Sequence, residues 1–196
     1  TVTFSDYILP GECPNYYTII RTFVASDNCG NITSESQIIT IVDTTAPEFT
    51  SIPADYTIEC SDVITYEDAI AVDNCGVVEI VVDESISSGS CVGDYIITRT
   101  FTATDDCGNT TSASQSITVV DTTAPDLTIP ADYTAECSDE HPMDDAVAID
   151  NCGTYIITVS EETIFGDCPG NYLITRTFTA TDDCGNAVSD TQTITI

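Results

Sequence analysis

The chain holds 196 residues, with 33 Asp plus Glu against 3 Lys plus Arg and a formal charge of −30. Charge of that sign and size excludes nucleic acid and anionic membrane surfaces as partners. One histidine and no lysine leave most nucleophile–base pairings without a base, so no enzyme is expected.

The chain repeats itself. TRTFTATDDCGN occurs at Thr98–Asn109 and Thr175–Asn186, with a near copy, IRTFVASDNCGN, at Ile20–Asn31. Arg99 follows Arg21 by 78 residues, and Arg176 follows Arg99 by 77. A fixed period of this length marks an array of small folded units. Residues 1–43 read as the C-terminal part of a truncated repeat, since Val2 and Phe4 match Ile80 and Val82. Residues 44–121 and 122–196 are complete repeats. With no start methionine, signal peptide or membrane-spanning run, the chain reads as a segment of a longer protein.

In chain order, a complete repeat offers short runs at Asp55–Cys60, Ala69–Asp73, Val77–Glu84, Tyr95–Thr104 and Ser112–Val120. The run Tyr95–Thr104 alternates in the period-2 manner of a half-buried strand, with Tyr95, Ile97, Phe101 and Ala103 on one face. Gly, Pro, Asn and Asp separate the runs, and no helical period is present. The reading is all-β: tandem immunoglobulin-like β-sandwiches of about 77 residues, strands A, B, C, F and G, arranged as a rod. Arg21, Arg99 and Arg176 fall on the inward face of strand F, where bridging carboxylates or stacking on Tyr95 or Tyr172 is expected. His141, in the variable A–B loop, reads as a surface residue.

Ten cysteines stand at matching positions. Units this small have thin cores and need cross-links, which places the chain outside the cell. No CxxC knuckle is present, which argues against zinc. Cys91 and Cys107 flank strand F, whose ten residues span roughly 33 Å, too far for one disulfide. Strand C separates Cys75 from Cys91 in the same way. The remaining connectivity is Cys60–Cys91 with Cys75–Cys107, and by repetition Cys137–Cys168 with Cys152–Cys184. Cys13 and Cys29 are expected to have partners upstream.

The acids recur in DNCG, DDCGN and VDTTAP loops. Topology gathers Asp43 and Glu48 with Asp73, Asn74, Asp105 and Asp106, and Asp121 and Asp126 with Asp150, Asn151, Asp182 and Asp183. Asp62, Glu67, Asp68 and Asp94 approach from the preceding repeat. Hard oxygen ligands from several loops suit Ca²⁺ at the repeat junctions, although no loop follows EF-hand spacing. The linkers carry Pro47 and Pro53, or Pro125 and Pro130, and no glycine, which favours a stiff connection.

DTTAP, then PADYTxECSD, AxDNCG and TRTFTATDDCGN, resembles the repeats of very large cell-surface adhesins of Bacteroidetes, including gliding-motility adhesins. The order of blocks is also similar to hyalin (HYR) repeats, whose cysteine set differs. The resemblance implies a secreted, surface-displayed stalk or filament. It also implies O-glycosylation of the Asp-Thr sequences at Thr44 and Thr122, where the rival reading is a capped turn. NIT at Asn31 and NTT at Asn109 match the N-glycan acceptor pattern, which a bacterial source makes little use of. The expected function is a structural stalk segment of an extracellular adhesin, disulfide-stabilised and rigidified by calcium, its partners being neighbouring repeats. The alternatives are that the repeats bind surface polysaccharide or assemble with other copies into an extracellular fibre.

Overall fold

The computed structural model describes residues 1–196 in full and contains strands and no helix. Strands β1 (Val2–Pro10), β2 (Tyr17–Ser26) and β3 (Ile32–Ile41) form an antiparallel sheet in that order. In the next repeat, β4 (Glu48–Ser51) is followed by β5 (Tyr56–Glu59), β6 (Ile70–Val72), β7 (Val78–Ser88), β8 (Tyr95–Asp105) and β9 (Thr110–Val120). Here β4 pairs with β6, and a separate sheet runs β5-β9-β8-β7 with β5 parallel to β9. The third repeat copies this with β10 (Asp126–Thr128), β11 (Tyr133–Thr134), β12 (Val147–Ile149), β13 (Tyr155–Phe165), β14 (Tyr172–Asp182) and β15 (Ala187–Thr195). Its sheets are β10-β12 and β11-β15-β14-β13. The expected immunoglobulin-like sandwich is the observed fold. The short strand β4 was not foreseen; it is four residues long and interrupted by a register shift between Phe49 and Ser51.

Contacts gather the residues into two compact units. One comprises Thr1–Ala54, Tyr66–Ser85 and Thr98–Ser116; the other comprises Asp55–Thr65, Ile86–Ile97 and Ile117–Ile196. Each unit therefore contains a meeting of two repeats. The first joins β1–β3 to the half of residues 44–121 that carries the Asp73 and Asp105 loops. The second joins residues 122–196 to the half that carries Cys60 and Cys91.

Within each unit, alternation along the F-type strand decides the core. In the first, Arg99, Phe101, Ala103 and Asp105 are buried while the intervening threonines are half exposed. In the second, Ile174, Arg176, Phe178, Ala180 and Asp182 repeat the pattern, closed by Ala148 on β12 and Ile194 on β15. A buried guanidinium needs every donor matched. Arg99 donates from Nε to Glu84 at 3.0 Å, and from Nη1 to the Glu67 carbonyl at 2.8 Å and Gln115 Oε1 at 3.2 Å. Arg176 does the same with Glu161, the Asp144 carbonyl and Gln192. The carboxylate bridge was foreseen, but the stacking partners are corrected. Arg99 lies over Tyr66 and Phe101, and Arg176 over Phe178. A residue two positions along the same face lies nearer than Tyr95 or Tyr172, which are four away.

The cysteine pairing is also corrected. The bonds are Cys13–Cys107, Cys60–Cys152 and Cys91–Cys184, at sequence separations of 94, 92 and 93. Cys29, Cys75, Cys137 and Cys168 are free. None of Cys60–Cys91, Cys75–Cys107, Cys137–Cys168 or Cys152–Cys184 forms, and Cys13 bonds downstream. Strand length correctly separates Cys91 from Cys107, but it fixes only the end of the sandwich at which a cysteine sits. At each end the next repeat lies close enough to compete. A Cβ placed on Gly93 would stand 2.7 Å from Asp121 Cβ and 3.3 Å from Cys152 Cβ. At this junction the sulfurs of Cys60 and Cys91 both bond into the adjoining repeat.

Candidate functional site

The junction is built from three kinds of loop. The first is the turn between the F and G strands. In it the Asp105 carboxylate accepts from Cys107 N at 2.8 Å, Asn109 N at 2.9 Å and Asn109 Nδ2 at 2.8 Å. Gly108 closes the turn at φ +86°, in the left-handed region that a Cβ disfavours. Asp27 and Asp182 organise the same turn in the other repeats. The second loop follows the B strand, where Asp73 accepts from Cys75 N at 2.7 Å and Asp150 from Cys152 N at 3.0 Å. The third is the linker. Asp43 and Asp121 accept from Thr45 N and Thr123 N, both at 3.2 Å.

The asparagine of the turn ties the linker down. Asn109 Nδ2 donates to the Asp43 carbonyl at 3.3 Å, and Asn186 Nδ2 to the Asp121 carbonyl at 3.0 Å. As a result, oxygens of Asp43, Asp73 and Asp105 lie within 4.8 Å of one another, and so do those of Asp121, Asp150 and Asp182. Two carboxylates at such a distance repel by about 1–4 kcal/mol, depending on local polarity. Within these clusters Asp73 Oδ1 and Asp150 Oδ1 are buried and have no hydrogen-bond partner. Burial, with Asp150, Asp182 and Glu59 nearby, pushes the Asp121 carboxyl above its usual range against the Thr123 N–H. Burial also works upward on Asp105 and Asp182. There the hydrogen bonds from Asn109 or Asn186 and the backbone N–H groups outweigh it and hold both carboxyls below the usual range.

Six of the twelve expected cation ligands are thus brought together: Asp43, Asp73 and Asp105, and Asp121, Asp150 and Asp182. The unpartnered Asp73 Oδ1 and Asp150 Oδ1, with the acceptor-only chemistry of the whole set, fit a hard divalent cation. The others do different work. Asn74 and Asn151 donate to the sulfurs of Cys75 and Cys152. Asp106 accepts from Val77 N, and Asp183 from the Thr154 hydroxyl at 2.8 Å. Glu48 and Asp126 lie exposed on β4 and β10. Of the acids expected from the preceding repeat, Asp94 reaches the junction, where it accepts from Asp121 N at 3.1 Å. Glu67 supplies only its carbonyl, to Arg99.

Thr122 and Thr44 are both exposed, and Thr122 donates its hydroxyl to Glu59. Pro47 and Pro125 are buried at the linkers. His141 is half-buried in the loop between β11 and β12, and its Nδ1 meets no partner. Sequence reasoning missed Glu59 as the anchor of the linker, and Gly76 and Gly93 as points of close approach. Gly76 lies against Asp106 of the DDCGN turn, and Gly93 against Asp121 of the VDTT linker and Cys152 of the DNCG loop.

No protein-family model matches the chain, and no curated protein matches it. Among solved structures, Drosophila N-cadherin EC1-4 aligns over 99% of this chain and 66% of that one, at 12% identity and TM-score 0.37. The protocadherin gammaB7 EC3-6 cis-dimer structure aligns over 100% and 68%, at 13% and 0.38. Human CDH23 EC21-23 aligns over 98% and 88%, at 12% and 0.35. The chain spans 44% of the protocadherin GammaB4 extracellular domain, to which it is also similar. Values this low mark a loose likeness; fold and site rest on the chain's own strands and contacts.

Proposed function

We propose that the chain is a non-enzymatic, load-bearing stalk segment of an extracellular adhesin, its repeats joined in series by disulfides and stiffened by calcium at each junction. The observation that carries this reading is the path of covalent bonds. From Thr1 to Cys13, across to Cys107, back to Cys91 and across to Cys184, tension bypasses most of the backbone. Only about 40 residues remain in the shortest covalent route, an extended length of about 140 Å against about 680 Å for the whole chain. A stalk needs that property, because pulling cannot unravel its beads. Structural disulfides persist in oxidising compartments, which supports an extracellular location. The resemblance to adhesin repeats agrees with it.

Single-molecule pulling between the termini tests the reading. The account expects extension to stop near 140 Å without reductant and to approach the full length after reduction. Unravelling to several hundred ångströms without reductant would refute it. Calcium is tested separately by titration calorimetry. The wild-type chain is expected to bind it, and Asp73→Asn with Asp150→Asn to lose at least tenfold in affinity. Equal affinity in both would remove the cation from the account.

A further inference from the structure

The Cys60–Cys152 bond and the second carboxylate cluster share one residue. A carboxylate oxygen of Asp121 lies within 4.8 Å of both sulfurs, and one lies within 4.8 Å of oxygens of Asp150 and Asp182. The cluster is supplied from two sides of the junction. On the linker side, Cys60 N donates to the Val120 carbonyl at 2.8 Å and Thr122 N to Glu59 at 3.2 Å. The strand end that carries Cys60 therefore holds Asp121 through both its chain neighbours. On the other side, Cys152 N donates to the Asp150 carboxylate at 3.0 Å, and Asn151 Nδ2 to the Cys152 sulfur at 3.0 Å. The disulfide is thus the covalent tie between the segment that positions Asp121 and the loop that positions Asp150. Asp150 Oδ1 is buried there with no hydrogen-bond partner, an independent sign that the cluster takes a cation.

We propose that calcium binding at Asp121, Asp150 and Asp182 is governed by the redox state of Cys60 and Cys152: the disulfide sets the ligands in place, and reduction releases them. The inference rests on the calcium reading and names its regulation. Ligands fixed beforehand spare the cation the cost of ordering them, whereas loops held by hydrogen bonds must be gathered as it binds. Linkage makes the effect mutual. By whatever factor the disulfide tightens calcium, calcium favours the disulfide over the dithiol by the same factor. In reduction by glutathione, one thiolate attacks a sulfur of the pair, breaking the bond and forming a mixed disulfide. The other cysteine leaves as a thiolate and takes up a proton. A second glutathione thiolate attacks the glutathione sulfur of the mixed disulfide and frees the remaining cysteine. One protein disulfide and two glutathione thiols become two cysteine thiols and one oxidised glutathione. The cation site is therefore assembled where disulfides form, and the junction stiffens in an oxidising compartment.

Calorimetric calcium titration of the full chain with Asp43→Asn and Asp73→Asn reads this cluster alone. Adding Cys60→Ser with Cys152→Ser is expected to weaken binding about tenfold or more. Adding instead Cys91→Ser with Cys184→Ser, whose sulfurs lie beside Asp94, is expected to weaken it clearly less. The unsubstituted chain gives a second measurement that needs no variant to fold. In a glutathione redox buffer, saturating calcium is expected to raise the share of linked Cys60–Cys152 peptide over that in chelator. The shift expected is about tenfold in the thiol–disulfide equilibrium constant, or about 30 mV for this two-electron couple. Calcium affinity that ignores the Cys60–Cys152 bond, equal losses from the two cysteine pairs, or a redox equilibrium that ignores calcium would overturn the proposal. Each of these would leave the calcium reading standing. Failure of the fully disulfide-bonded, unsubstituted chain to bind calcium would remove the cation and this inference together.

Discussion

The sheet β1–β3 and the sheet β13–β15 occupy equivalent positions in the repeat, with closely similar central strands β2 and β14, and differ in what lies over them. Phe178 on β14 is fully buried and Arg176 is 4% exposed, whereas Phe23, the matching residue on β2, is 36% exposed. Arg21 pairs with the opposed Asp6 through two 2.8 Å bonds and lies over Phe4, as Arg176 pairs with the opposed Glu161. What Arg21 lacks are counterparts of the Asp144 carbonyl and the Gln192 amide contact that enclose Arg176. The strand pair and its ion pair therefore arise from local sequence. Burial comes from the segment between linker and B strand, which makes the sandwich.

The contrast can be broken at several strengths. Cys60→Ser with Cys91→Ser removes both bonds of the second junction. Each closes a loop of more than ninety residues and contributes about 4 kcal/mol by chain entropy, so this variant is expected to show the largest fall in melting temperature. Phe178→Ala comes next, at about 3–5 kcal/mol in urea denaturation, with a clearly smaller cost for Phe23→Ala. Equal costs would mean that the segment over β14 contributes little. Arg99→Met leaves the Glu67 carbonyl and Gln115 without their donor, for a loss of about 1–3 kcal/mol. Arg21→Met is expected to cost less, since water reaches both partners.

The smallest effects are those of pH. Asp105 and Asp182 have lowered folded values, so the stability they contribute is present above the ordinary carboxylate range and is lost as pH falls through those values. Asp121 has a raised value, so its contribution is present at low pH and is lost as pH rises through it. In chelator, the melting temperature is therefore expected to fall as pH climbs past the carboxylate range. Calcium is expected to restore it at neutral pH. Parallel curves with and without calcium would contradict the junctional cation.

Much of this was legible in the chain. Period-2 alternation placed Ile97, Phe101 and Ala103 inside, and the same parity placed Arg99 there. Recurring acids in three loops located the Asp43–Asp73–Asp105 cluster, because strand topology sends those loops to one end. Two things were hidden. Asn74 and Asn151 belong to the same loops, yet each turns to the sulfur of the cysteine that follows it, whether that sulfur is free, as in Cys75, or bonded, as in Cys152. The disulfides themselves were misread because a period reports which end of a sandwich a cysteine occupies. It carries no information on whether the nearer sulfur belongs to the same repeat or the next.

Cross-repeat bonding is the claim on which stiffness and load path both rest. Peptide mapping of the alkylated, non-reduced chain tests it directly. The account predicts linked peptides for Cys13–Cys107, Cys60–Cys152 and Cys91–Cys184, with Cys29, Cys75, Cys137 and Cys168 alkylated. Recovery of Cys60 linked to Cys91, or Cys75 linked to Cys107, would contradict it.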